Sequence, residues 1–159
     1  MSDLTILTQA GVAPDSTLSR VVSMRGNIIG MTQSAEEAVL RPKETGAFPH
    51  DLRAAIAARV SRLAGDEALT AYYVAQAGQY AALGELGDPC EQHADLAVVL
   101  SFVDKIANQT RDAAANDISD LQEAGVADAD IVRLCELVAF LAFQIRVISG
   151  LRLMNGKST

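Results

Sequence analysis

Tryptophan is absent from this sequence, and the remaining aromatics, three tyrosines and four phenylalanines, make up 4% of it. Sheet cores draw on aromatic and β-branched side chains. Their scarcity, beside abundant alanine and leucine, points instead to helices packed closely through small residues. Cysteine is nearly missing, at two residues, and so is histidine, also at two. That leaves no disulfide framework and no recognised zinc spacing, so neither a metal nor another cofactor is expected. Basic side chains are outnumbered, thirteen Lys and Arg against twenty Asp and Glu, for a net charge of −7. Phosphate backbones need a concentrated basic patch, so a nucleic-acid partner is not expected. The opening residues, MSDLTILTQAG, have neither the basic region nor the continuous apolar run of a signal peptide, and with so few cysteines the expectation is a cytoplasmic protein. Internal repeats and low-complexity tracts are lacking too.

What is present is a chain of 159 residues, half of them hydrophobic. That is enough for one domain burying about two-thirds of its unfolded surface. Residues 1–159 read as a single all-α domain, a helical bundle of about six helices. PDSTLSRVVSMRGNIIGMTQSAEEAVL carries Leu18, Val21, Val22, Ile28 and Ile29 near helical period, with Asp15 or Ser16 placed to cap it, and predicts one long first helix. RPKETGAF interrupts it. PHDLRAAIAARVSRLAG resumes with Leu52, Ile56, Val60 and Leu63 on one stripe and Gly65 as the stop. A third helix follows, its stripe running through Leu69, Tyr72, Tyr73, Gln76, Tyr80 and Leu83 before GELGDP ends it.

CEQHADLAVVLSFVDKIANQT then places Leu96, Val99, Leu100, Val103 and Ile106 together. A short helix comes next, capped by Asn116 or Asp117 and stopped near Gly125. The last helix, IVRLCELVAFLAFQIRVISGLRLM, which Asp128 or Asp130 can cap, is apolar nearly all round. Arg133, Glu136, Gln144, Arg146 and Arg152 interrupt it. A charge at mid-bilayer costs roughly 2.5–3.5 kcal/mol on insertion scales, so a central buried helix or an oligomer interface is expected there, and no membrane.

In this order of elements, LRAAIAARVSRLAGDEALTAYYVAQAG resembles the core hairpin of the carboxymuconolactone decarboxylase and alkylhydroperoxidase D-like superfamily. LSFVDKIANQTRDAAANDISDLQEAGVADADIVRLCELVAFLAFQIRVISGL is similar to the second half of its peroxidase-related branch. The resemblance covers roughly residues 48–153 and implies an alkylhydroperoxidase D-like bundle. It also implies peroxidase chemistry by a Cys-x-x-Cys dithiol with a histidine and a glutamate moving protons. Those residues are missing. With VSRLAG setting the register, the cysteine positions hold Asp66 and Leu69, the histidine position Tyr73 and the glutamate position Ala54. With YYVAQAG setting it, they hold Thr70, Tyr73 and Ala77, with Ala58 for the glutamate.

The expected role is therefore that of a catalytically silent member, a binding or accessory subunit beside an active paralogue that supplies the thiols. The alternative is a peroxidase-related or other small-molecule enzyme whose chemistry has moved. CEQH sets Cys90 and His93 three apart at a helix start, where a histidine and the positive helix end lower a thiol pKa; the competing reading is a chance meeting on a loop. Cys135, inside the most apolar stretch, reads as a small buried hydrophobe. Tyr73, Gln76 and Tyr80 form an i, i+3, i+7 row that either lines a small-molecule pocket or hydrogen-bonds across a helix interface. Arg59 and Arg62 read as surface charges. Arg146, at a family arginine position, reads as pocket-lining and paired with Glu136, Asp117 or Asp120. So apolar a final helix, with few large aromatics, also predicts a homo-oligomer.

Overall fold

The computed structural model describes residues 4–86 and 91–156. Its elements are α1 (Thr5–Gln9), α2 (Thr17–Ser23), α3 (Gly26–Leu40), α4 (His50–Leu63), α5 (Glu67–Val74), α6 (Ala97–Asn108), α7 (Ala115–Glu123) and α8 (Asp128–Met154). Three 3₁₀ segments join them, at Gly78–Gly84, Glu91–Leu96 and Thr110–Asp112, and no strand forms among the described residues. The protein is an all-α bundle with one continuous cluster of buried side chains running from Ile6 to Leu151.

The expected long first helix is two. The Ser16 side chain caps α2 by accepting from the Ser19 amide. Arg25, at φ −115° and ψ 28°, leaves helical geometry, and Gly26 opens α3. The inward side chains stay nearly in phase across the break. Leu18, Val22 and Ile29 are buried, whereas Val21 and Ile28, expected on the same stripe, are 48% and 49% exposed.

Helix α4 is the hub. Every residue from Leu52 to Ser61 is buried, so it has no solvent face in its central turns. Ala54, Ala55, Ala57 and Ala58 make this possible by letting neighbours approach closely: a Cβ added to Gly84 would lie 3.1 Å from the Ala58 methyl. Gly65, at φ +75°, ends the helix where the sequence placed the stop. Asp66 then caps α5 by accepting from the Leu69 amide and also holds Arg152 of α8 through two bonds of 2.7 and 3.0 Å. Arg152 donates as well to the Gln9 carbonyl, so one guanidinium ties the end of α8 to the end of α1 and the start of α5.

Two arginines of α4 are buried, at 1% and 4% exposure. Arg53 donates to the carbonyls of Val39, Thr45 and Phe48 at 2.8–2.9 Å, gathering the end of α3 and the connection that follows it. Arg59, expected at the surface, forms a bidentate pair with Asp104 at 2.6 and 2.7 Å and donates to the Leu83 and Glu85 carbonyls. Arg62 is nearer the rim and pairs with Glu85.

Helix α8, at 27 residues about 40 Å long, packs on α1, α3, α4, α6 and α7. Ile131, Leu134, Leu141, Gln144, Ile148 and Leu151 form its inward stripe, while Val132 and Phe143 remain exposed on the far side. Asp128 and Asp130 lie in its first turn rather than at the cap, and Asp117 likewise sits inside α7, accepting from the Ala114 amide. No helix among the described residues is long and apolar enough to cross a membrane.

Replacing Arg53 by methionine keeps its apolar stem but strands three backbone carbonyls at about 1–3 kcal/mol each. Arg53→Met should therefore lose about 3 kcal/mol or more in urea unfolding. A loss below about 1 kcal/mol would show that the connection holds itself without the guanidinium.

Candidate functional site

Polar side chains from four helices meet in the core at positions that helical period marks as apolar. Glu36 lies between Thr32 and Leu40 on the inward row of α3 and is 4% exposed. Tyr73 lies on the buried row of α5 with Leu69 and Thr70, and Gln144 on that of α8 between Leu141 and Ile148; both are fully buried. Thr5, at the start of α1, closes the group and is also buried.

The Tyr73 hydroxyl donates to Gln144 Oε1 at 2.7 Å and lies 3.4 Å from Glu36 Oε1. Its ring packs edge-on against Tyr72 at 5.0 Å, and the Tyr72 hydroxyl meets Thr5 Oγ1 at 3.3 Å. Burial raises the Glu36 carboxyl above the usual carboxylate range, with the polar side chains of Thr5, Tyr73 and Gln144 around it opposing the shift and Glu37 adding to it. Burial also pushes the Tyr73 phenol up, reinforced by Glu36. The centre is therefore a carboxylic acid that resists ionisation beside a phenol that keeps its proton. Among the described residues, Glu36 Oε2 and Gln144 Nε2 have no hydrogen-bond partner.

Outward from Glu36 lies a cavity of about 30 Å³ bounded by Glu37, Leu40, Arg41, Tyr72 and Gln76. That is about the share of one water molecule in the liquid. Arg41 donates to Gln76 Oε1, and the Gln76 amide donates to the Tyr72 carbonyl at 3.1 Å, so a short polar bridge spans the opening. The arrangement can hold a water against the acid and exchange a proton with it. An organic substrate does not fit without parting α3 from α5.

The predicted row does not stay together. The α-helical run ends at Val74, and Gly78, at φ +51°, opens a 3₁₀ segment that turns at three residues rather than 3.6. Tyr73 consequently points into the core, Gln76 lies half-buried against Arg41, and Tyr80 stacks on His93 with ring centres 5.0 Å apart. His93 sits at a kink, φ −132° and ψ 30°, inside the 3₁₀ segment that leads into α6. Cys90 lies outside the described residues. Arg146 is exposed and turns back onto the Ala142 carbonyl at 2.9 Å, without the expected carboxylate, beside a 250 Å³ cleft bounded by Val60, Leu63 and Ala107. Cys135 is half-buried; burial, followed by the neighbouring Glu136, raises its thiol and works against a thiolate.

The positions at which the resemblance places catalytic groups are filled by packing residues in both registers. Ala54, Ala58, Leu69 and Ala77 are core, Thr70 bonds the Asp66 carbonyl at 2.7 Å, and Asp66 caps α5. Sequence reasoning missed Glu36. The available signal was its i+7 spacing from Ile29 and its i+4 spacing from Thr32 and to Leu40. Gln144 was visible only as an interruption of the last helix, although it stands three residues after Leu141 and four before Ile148. No family model, curated protein or solved structure matches the chain.

The raised Glu36 carboxyl has a direct consequence. Unfolded chains release this proton in the ordinary carboxylate range, whereas the native state keeps it to higher pH, so the native state binds more protons above that range. The stability Glu36 contributes is then complete at low pH and is lost as pH rises through its native pKa. Urea unfolding of the wild type and of Glu36→Gln from about pH 5 to about pH 8 should show the wild type falling relative to the variant. Parallel curves would mean that Glu36 ionises normally in the folded protein.

Proposed function

We propose that this chain is a carboxymuconolactone decarboxylase and alkylhydroperoxidase D-like protein without the catalytic dithiol, acting as a non-catalytic binding or accessory subunit that self-associates in the cytoplasm. The observation that carries the reading is the closure around Tyr73. The side chain standing where the resemblance expects a catalytic histidine or cysteine is fully buried, its hydroxyl is committed to Gln144, and the space beside its acid neighbour is about 30 Å³. A thiol peroxidase needs a nucleophile that a hydroperoxide can reach, and neither register supplies one. The order of the elements from α4 to α8, a tight helical pair followed by a helix, a short helix and a long final helix, is the order that the resemblance leads one to expect.

A second reading, an enzyme with relocated chemistry, draws on the contact of His93 with Tyr80 next to Cys90 in sequence, and on the buried acid at Glu36. It requires Cys90 to act as a one-thiol nucleophile, or Glu36 to exchange protons with a ligand that enters past Arg41 and Gln76.

Hydroperoxide reduction with a thiol reductant separates the two. Wild-type protein is expected to turn over no faster than Cys90→Ala and no faster than Glu36→Gln. A rate that depends on Cys90 would overturn the accessory reading and make the CEQH segment the active site.

A further inference from the structure

Two surfaces of this molecule are opposite in charge and alike in being apolar. The first is the outer side of α2 and α3. Val21, Met24, Ile28 and Met31 are 48%, 81%, 49% and 67% exposed within the stretch 21–31. A run of large apolar side chains left to water in this way marks an interface more often than a free surface. Arg20 and Arg25 stand in the same stretch, both exposed, and neither meets a carboxylate within ion-pair distance among the described residues.

The second is an open cleft of about 590 Å³ between α6 and α7. Val98 and Phe102 form its apolar floor, and its rim carries Asp117, Asp120 and Glu123. Lys105 is already committed to Asp117 at 2.7 and 2.9 Å. Asp120 and Glu123 remain exposed, with no cation within ion-pair distance among the described residues. The two surfaces do not cover one another within a molecule, since α3 packs on α2, α4 and α8, whereas α7 packs on α6 and α8.

We propose that copies of this chain associate head to tail, the α2–α3 stretch of one seating Met24, Ile28 and Met31 in the α6–α7 cleft of the next, with Arg20 and Arg25 facing Asp120 and Glu123. The occupant is a second copy because each chain carries both halves of the match, a basic apolar helix face and an acidic apolar cleft. The pairing joins different surfaces, so it generates a ring or an open chain rather than a two-fold dimer. Its charged rim makes it weaken with salt, while the apolar centre supplies most of the affinity. The inference deepens the self-association in the reading above, and its test is independent of any peroxide assay.

Two double variants make that test. Arg20→Glu with Arg25→Glu turns the helix face acidic, and Asp120→Arg with Glu123→Arg turns the cleft basic. In sedimentation at micromolar concentration the wild type should exceed the 16.8 kDa of one chain. Each double variant alone should associate about tenfold more weakly or worse, because like charges now face each other. Mixed in equal amounts, the two variants should associate again by alternating with one another, since the acidic helix face fits the basic cleft and the unaltered surfaces still fit one another. Recovery on mixing also shows that both variants are folded. A wild type that stays monomeric overturns the proposal, as does undiminished assembly of the cleft variant alone, which a symmetric α3-to-α3 contact would give, or variants that are folded by circular dichroism yet do not recover on mixing.

Discussion

The structure depends on two guanidinium groups that leave α4 about 120° apart around its axis and reach backbone carbonyls. A helix buried through all its central turns has no room for charge on its own surface. Yet Arg53 and Arg59 are inside it, and each reaches past the alanine-lined flanks to a connection that would otherwise have unpaired acceptors. Arg59 is balanced by the carboxylate of Asp104. Arg53 contacts carbonyls alone, and its charge is moderated at longer range by Asp130 and Glu136 against Arg133. Such a buried cation is costly unless every donor is used, which makes it a strong positional constraint on whatever it binds. Here it fixes the connection from Leu40 to Pro49. Gly46 in that connection lies against α8 so closely that a Cβ would fall 1.9 Å from Asp130 Oδ1, and its φ of +59° favours glycine on independent grounds.

Holding that connection in place also sets the axial position of α3, and through it Glu36. A shift of α3 by one residue would turn Glu36 about 100° around the helix, away from Tyr73 and Gln144. The acid cluster thus records the register that Arg53 imposes from the other side of the helix pair. Within the cluster the hydrogen bonds are unequal. The short bond belongs to Tyr73 and Gln144, while Glu36 has the longer contact and an oxygen that finds no protein partner. Of the groups there, Glu36 is the one whose protonation state changes how well the core is satisfied.

Much of this architecture is legible from the sequence. The α4 helix, its stop at Gly65, and the short α7 with its stop at Gly125 follow from period and punctuation, because local chemistry decides them; the last helix, apolar nearly all round, did not announce which side faces inward. What was not legible depends on partners distant in the chain. Arg59 looks like a surface charge until Asp104 is known to lie opposite it. Glu36 looks like half of an exposed Glu-Glu pair until α5 and α8 are in place. The break at Arg25 leaves the apolar spacing nearly in phase on both sides, so periodicity carries no sign of it. The tyrosine row failed differently: Tyr73, Gln76 and Tyr80 share a face at 3.6 residues per turn and lose it at three, and Gly78 was the residue that could have announced the change.

Helix α3 is the element in which these constraints collide. Its inner row includes Thr32 and Glu36, and its outer row includes Ile28, Met31, Ala35 and Ala38, so in the isolated molecule its polarity is partly reversed. Reversal of this kind costs stability twice, once for desolvating the acid and once for leaving apolar side chains in water. The first cost is reduced by the polar neighbours of Glu36 and by the upward shift of its carboxyl. The second is reduced only if something covers the outer row. A helix with both requirements is held by its surroundings rather than by its own amphipathic pattern. Changes on the outer surface and changes at the buried acid therefore act on one element, and any partner that covered Met31 would stabilise the same helix that carries Glu36.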